Sequence, residues 1–210
     1  CDPGLALECA FKMVEEGADI IDVGGESTRP GAAAVSETEE LTRVVPLIET
    51  LAKQLPVPIS VDTSKAAVMQ AASDAGASMI NDVCALRQEN ALRVAAESGL
   101  AVCMMHMQGE PRTMQKQPEY NNVVEEVIQF LRQRIDACEA SGLESSRLIV
   151  DPGFGFGKTL EHNLALLRNL ETLQDLGPPI LVGLSRKSML GKITGREVDE
   201  RQTASAIAAY

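Results

Sequence analysis

The chain has 210 residues, of which 45% are hydrophobic, 23% charged and only 3% aromatic, and it carries a formal net charge of −11 at pH 7. These proportions suit one globular domain with a substantial core and exclude disordered and fibrous classes. The acidic balance argues against a nucleic-acid partner, which needs a basic surface to displace counterions from phosphates, while a small anionic ligand could still be held by a few local cations.

No apolar run reaches about 18 residues, and the first residues lack the basic and apolar regions of a secretory signal, so a cytoplasmic protein without a membrane span is expected. The cysteines (Cys1, Cys9, Cys84, Cys103 and Cys138) are odd in number and lack CxxC spacing, which predicts neither a disulfide framework nor a zinc cluster. Cys84 and Cys103 fall in apolar runs and are predicted to be buried thiols.

A helical pattern over residues 4–16 opens the chain, ends at Gly17, and leads into an apolar strand at 20–23. A loop of hydroxyls and backbone breakers, 24–31, separates that strand from a helix at 37–54, where Leu41, Val44, Val45, Ile48 and Leu51 recur at helical spacing. Strands at 59–62, 79–82, 102–105 and 148–151 then alternate with helices at 65–75, 89–98 and 120–141. Gly76, Gly99 and Gly142, like Gly17, stand where a left-handed residue would end a helix. The segment 108–118 is too polar for core and reads as a cover over a site. A helix at 160–174 and a sixth strand at 180–183 follow, and the apolar end, 204–210, reads either as a core-facing helix or as a subunit contact.

Strand alternating with helix predicts an α/β fold with a parallel sheet covered by helices. An open doubly wound sheet concentrates polar chemistry where its strand order reverses, whereas a closed ring gathers every strand end around one mouth. Here all the strand ends are polar: Asp22 with Glu26, Asp62, Asn81 with Asp82, His106, Asp151, and Ser185 with Lys187. The expectation is therefore a single-domain TIM (β/α)8 barrel over residues 1–210, with six of its eight strands visible and the first and last missing.

The segment Asp-Pro-Gly-Phe-Gly-Phe-Gly-Lys, 151–158, contributes little to a core and suits a place where a flat molecule is held. Asp62, Asn81 and Asp151 converge on one space. A carboxylate accepts two parallel N–H bonds from a guanidine-like ring edge, and an amide beside it both donates and accepts. Asp62 has a second reading as a helix cap, a role Thr63 or Ser64 could also fill. Asp82 is as readily structural as functional, because strand neighbours face opposite sides. Arg29 could hold a diphosphate or carboxylate through a forked pair, or simply be solvated. Lys187 lies where its ammonium would reach a ring carbonyl or an anionic leaving group; Arg186 faces outward or pairs with an acid. His162 reads as a surface residue, and His106 as either loop structure or site. No Ser-His-acid or Cys-His nucleophile set is evident, which points to a reaction run by positioning and electrostatics.

Residues 21–31, 60–64, 80–83, 105–107, 151–158 and 185–188, taken in that order, resemble the motifs of the bacterial dihydropteroate synthases. The likeness covers essentially the whole chain. It implies a transferase of folate biosynthesis that condenses 6-hydroxymethyl-7,8-dihydropterin diphosphate with 4-aminobenzoate by an SN1-like path, releasing diphosphate. It further implies a pterin site of Asp62, Asn81, Met105, Asp151 and Lys187, and an aminobenzoate site, where sulfonamides compete, of Thr28, Arg29, Pro30, Phe156, Ser185 and Lys187. Asp62, Lys187 and Arg29 would carry the catalysis. Also implied are a homodimer and Mg2+, whose family ligand is an asparagine on a first strand that these residues lack, so no metal ligand is assigned within the chain. A barrel open at both edges is expected to be poorly active or unstable by itself. The competing readings are a pterin-binding methyltransferase domain that works with a corrinoid, and a catalytically inactive pterin-binding homologue. The loops 27–31 and 185–188 favour the synthase over the first; binding without diphosphate release would mark the second.

Overall fold

The computed structural model describes residues 3–29, 31–110 and 113–210, so Pro30, one of the residues assigned to the aminobenzoate site, lies outside the described residues. The elements run α1 (Pro3–Glu15), β1 (Ile21–Gly24), α2 (Glu37–Gln54), β2 (Ile59–Asp62), α3 (Ala66–Asp74), β3 (Met79–Asp82), α4 (Ala91–Ser98), β4 (Ala101–Met105), α5 (Val123–Ala140), β5 (Leu148–Asp151), α6 (Leu160–Arg168), α7 (Ser188–Thr194) and α8 (Gln202–Ala209). The five strands are parallel and ordered β1-β2-β3-β4-β5, each joined to the next through a helical crossover. Gly17, Gly76, Gly99 and Gly142 all take positive φ at the helix ends where the sequence placed them.

The expected sixth strand is reduced to one parallel bridge between Val150 and Ile180. Val150 N–H donates to the Pro179 carbonyl at 3.0 Å and Leu181 N–H to the Val150 carbonyl at 2.9 Å. Pro179 has no N–H to carry the ladder back to Leu148, and Pro152 has none to carry it on to Leu181, which is why the apolar run pairs so briefly. The helix expected over 160–174 stops at Arg168 and gives way to a tighter 3-10 turn, Leu170–Leu176. His162 is not a free surface residue. It closes a capping box with Thr159, each backbone N–H donating 3.2 Å to the other's side chain, and its ring meets Tyr120 edge-on at 4.8 Å.

Strand periodicity divides the sheet into two faces. Ile21, Val23, Ile59, Val61, Ile80, Val102, Met104, Leu148 and Val150 join the main core beneath the helices, with Val44, Ile48 and Leu51 of α2 and Val127 and Leu131 of α5. The opposite face carries Asp22, Ser60, Asp62, Asn81, Cys103, Met105 and Asp151. The register aligns Gly24, Asp62, Asn81, Cys103 and Ile149 in one row, with Met105 and Asp151 paired in the next. Apart from Asp82 at the end of β3, polar strand residues thus lie on one side of a sheet whose other side is apolar. A site can form only on the first.

Candidate active site

Asp62 and Asn81 stand side by side at the ends of β2 and β3. The Asn81 amide reaches across β2 and donates to Asp22 Oδ2 at 3.1 Å, a bond that a curled sheet allows. Asp62 is half-buried, and its pKa is pushed up to about 7, first by burial and then by the charges of Asp22, Asp82 and Glu40. It is no helix cap: the Lys65 N–H at the start of α3 goes to Thr63 Oγ1 at 3.2 Å. Asp82 proves structural. It points away from this face, is buried, and accepts from Ser64 Oγ and from the Cys84 and Leu86 N–H groups at 2.7 Å each, holding a turn in which Ala85 and Leu86 take positive φ. Cys103 is buried as expected, while Cys84 is only half-buried.

Behind the loop that follows β1, Lys65 forms ion pairs with both Glu26 and the buried Glu40, and Glu40 also accepts from Thr63 Oγ1 at 2.6 Å. This network fastens the loop to α2 and β2. Thr28 is half-buried and Arg29 exposed beyond it. Both line, with Asp62, Glu26, Val83, Arg87 and Met107, a cleft of about 1140 Å³, a volume suited to a small organic ligand. Met107 joins this cleft to a second apolar cluster made of Val83, Met105, Met107 and Met114, with Phe156 packed against it. Met114 corrects one expectation: the polar segment 108–118 sends a buried side chain inward.

Asp151 is buried, and its pKa rises to about 6 through burial, opposed by the Gly153 N–H and by the charges of Lys187 and Lys158. The Gly153 N–H donates to Asp151 Oδ1 at 2.7 Å. Gly153 has a φ of +70°, and a Cβ there would sit 1.9 Å from the His106 carbonyl oxygen; no other residue fits. The Lys187 ammonium lies 4.6 Å above the Phe156 ring, and burial lowers its pKa while Asp151 partly restores it. Ser185 is exposed beside it. Arg186 is exposed at 3.9 Å from Asp199, and its backbone has a φ of +53°. Its N–H goes to Ser205 Oγ at 2.8 Å and its carbonyl accepts from Arg201 Nη1 at 3.2 Å, so α8 holds the lysine loop from behind.

The geometry therefore gathers Asp62 and Asn81 with the cleft bearing Thr28 and Arg29, and gathers Met105, Asp151, Phe156 and Lys187 beside it. Sequence reasoning missed Asp22 as Asn81's partner, the Lys65 bridge, the support from Ser205 and Arg201, and Lys158. The last is buried, 3% exposed, with its Nζ at 2.9 Å from His106 Nδ1 and 3.0 Å from the Gly153 and Phe156 carbonyls. His106, whose role the sequence left open, is buried as well and held neutral, its pKa lowered to about 2 by burial and then by the Lys158 charge.

The family model for pterin binding enzymes matches residues 2–210. A curated relative, the dihydropteroate synthase of Haemophilus influenzae, is 52% identical over 204 residues, covering 97% of this chain and 74% of its own. The chain belongs to the dihydropteroate synthases, a family of pterin-binding enzymes. A crystal structure of the Yersinia pestis dihydropteroate synthase with a sulfonamide drug complex superposes with a TM-score of 0.95 at 49% identity, covering 97% of this chain and 74% of that one. The Xanthomonas albilineans dihydropteroate synthase in complex with 7,8-dihydropteroate gives 0.89 at 47% identity, covering 99% and 75%. The family's fold is the TIM barrel, and the five parallel strands with their helices are the matching part of it. Among the described residues no helix is long and apolar enough to cross a membrane.

Proposed function

We propose that the chain condenses 6-hydroxymethyl-7,8-dihydropterin diphosphate with 4-aminobenzoate to give dihydropteroate and diphosphate. The observation that carries this reading is the convergence of two carboxylates with raised pKa, Asp62 and Asp151, and one amide, Asn81, on the polar face of a sheet, next to an ammonium stacked on an aromatic ring. Asp151 accepts paired N–H bonds from the aminopyrimidine edge of the pterin, Asn81 and Lys187 engage its remaining polar atoms, and Met105 packs on its face. Thr28, Arg29, Phe156, Ser185 and Lys187 flank the aminobenzoate, where sulfonamides compete.

Charge placement suits an SN1-like path. The methylene C–O bond breaks with its electron pair leaving on diphosphate, and the positive charge spreads into the ring, where ionised Asp62 stabilises it. The arylamine lone pair then forms the C–N bond, and the nitrogen releases a proton. Arg29 and Lys187 offset the diphosphate charge. Magnesium is part of the proposal only as a family expectation: among the described residues no group of three or more His, Cys, Asp or Glu is placed to hold a metal ion, so no step is assigned through it. A cytoplasmic homodimer completes the reading. The test is dihydropteroate formation from the two substrates. Pterin binding without diphosphate release would instead identify an inactive pterin-binding protein.

A further inference from the structure

Lys158 closes the loop that begins at Asp151, and the reaction described above does not use it. Its ammonium has three hydrogens and meets four acceptors: His106 Nδ1 at 2.9 Å, the Gly153 and Phe156 carbonyls at 3.0 Å, and the His106 carbonyl at 3.3 Å. With Nδ1 accepting, the neutral imidazole carries its proton on Nε2. Among the described residues no carboxylate is hydrogen-bonded to the ammonium, so burying it costs several kcal/mol that an apolar side chain would not. Burial accordingly lowers the lysine's pKa to about 7.

The acceptors explain what this cost secures. Gly153 is held from both sides, its N–H by Asp151 Oδ1 and its carbonyl by Lys158. Phe156 is held by its carbonyl while its ring lies beneath the Lys187 ammonium. Around the same loop, the Tyr120 hydroxyl donates to the Gly157 carbonyl at 2.8 Å and Asn163 Oδ1 accepts from the Gly155 N–H at 2.8 Å. Each of those two bonds holds a single glycine. Lys158 binds both carbonyls of the turn that the Phe156 N–H closes on the Gly153 carbonyl at 3.1 Å, and it joins that turn to the end of β4 through His106.

We propose that Lys158 is a positioning residue which sets the pterin-binding carboxylate and the aminobenzoate-side ring together, through one buried cation. The inference rests on the assignment of Asp151 to pterin and Phe156 to aminobenzoate made above. Its consequence is that the two subsites are coupled: moving the ammonium disturbs both, though it touches neither substrate.

The experiment is a pair of double-mutant cycles on the full-length enzyme, with KM and kcat measured for pterin diphosphate and for 4-aminobenzoate, and folding followed by circular dichroism. Lys158→Met is expected to raise both KM values roughly tenfold, the scale of one lost charged hydrogen bond. Adding it to Asp151→Ala should weaken pterin no further, and adding it to Phe156→Ala should weaken aminobenzoate no further, because it acts through those residues. Where Lys158→Met does not fold, the same cycles are read on Lys158→Gln, which keeps two N–H donors. A lysine variant that lowers the melting temperature while leaving both KM values unchanged overturns the proposal, as do losses that multiply with those of the partner variants. Should Asp151→Ala itself leave pterin binding intact, the site assignment fails instead, and the two failures are distinguishable.

Discussion

Asp62 is the group whose charge the proposed chemistry needs, yet the fold holds it close to neutrality. Its pKa of about 7 makes it ionised in about one molecule in eleven at pH 6 and about ten in eleven at pH 8. If the pterin edge binds the carboxylate and not the acid, affinity should fall about tenfold from pH 8 to pH 6, or about 1.4 kcal/mol. Asp151, with a pKa of about 6, is half ionised at the lower pH and adds about a factor of two. The dihydropterin alcohol is the suitable ligand, because it lacks the diphosphate and its own titration. Calorimetry in buffers of different ionisation enthalpy should also show protons released on binding near pH 6.5. Asp62→Asn removes the larger contribution and should leave only the twofold dependence from Asp151. A flat wild-type profile between pH 6 and 8, or an Asp62→Asn protein that keeps the tenfold fall, would refute the reasoning.

Asp22 is the foremost charge acting on Asp62, so Asp22→Asn, which preserves an oxygen for the Asn81 amide, should move the binding midpoint to lower pH; an unmoved midpoint would mean that burial alone sets it. Unfolding of the ligand-free protein by urea should become easier as pH rises from about 4 to about 7. The folded state binds protons at Asp62 and Asp151 more tightly than the unfolded chain does, and stability therefore declines where the folded state holds the excess; increasing stability across that window would reverse the sign. Ser205→Ala leaves the Arg186 N–H without its 2.8 Å acceptor, and by loosening the lysine loop should raise the aminobenzoate KM about fivefold, near 1 kcal/mol. Ser205→Thr keeps the hydroxyl and should behave like wild type, so equal kinetics for all three proteins would remove α8 from any role in the site.

What the sequence made legible follows from periodicity and strand-end position. Asp62, Asn81, Met105 and Asp151 could be placed on one face because side chains alternate along a strand, and the same alternation left Asp82 undecided until its three donors were seen on the other face. Lys158 was illegible for a different reason. Three of its four contacts are backbone carbonyls, which every residue possesses, so nothing in the composition of the loop marks where an ammonium will be enclosed. The Asn81–Asp22 bond depends on how far the sheet curls, and a strand pattern carries no measure of curl. The sixth strand was overestimated because apolar character shows that a run is buried, not that donors stand on either side to carry the ladder on; Pro152 and Pro179 supply none.

The acids of this chain illustrate how one residue type is assigned opposite tasks by its surroundings. Asp82 and Asp151 are both buried, and both accept backbone N–H groups from the turn that follows their strand. Asp82 spends both oxygens on Cys84, Leu86 and Ser64, which leaves it saturated within the protein. Asp151 gives its Oδ1 to Gly153, and the charges that draw its pKa down come from Lys187 and Lys158, one over the Phe156 ring and one under the loop. A carboxylate whose protein partners occupy it fully is a structural part. One held by a single N–H between two cations keeps acceptor capacity for a ligand, and burial raises the cost of leaving that capacity empty. That difference, more than the shared position at a strand end, is what suits Asp151 to the proposed contact with a pterin edge.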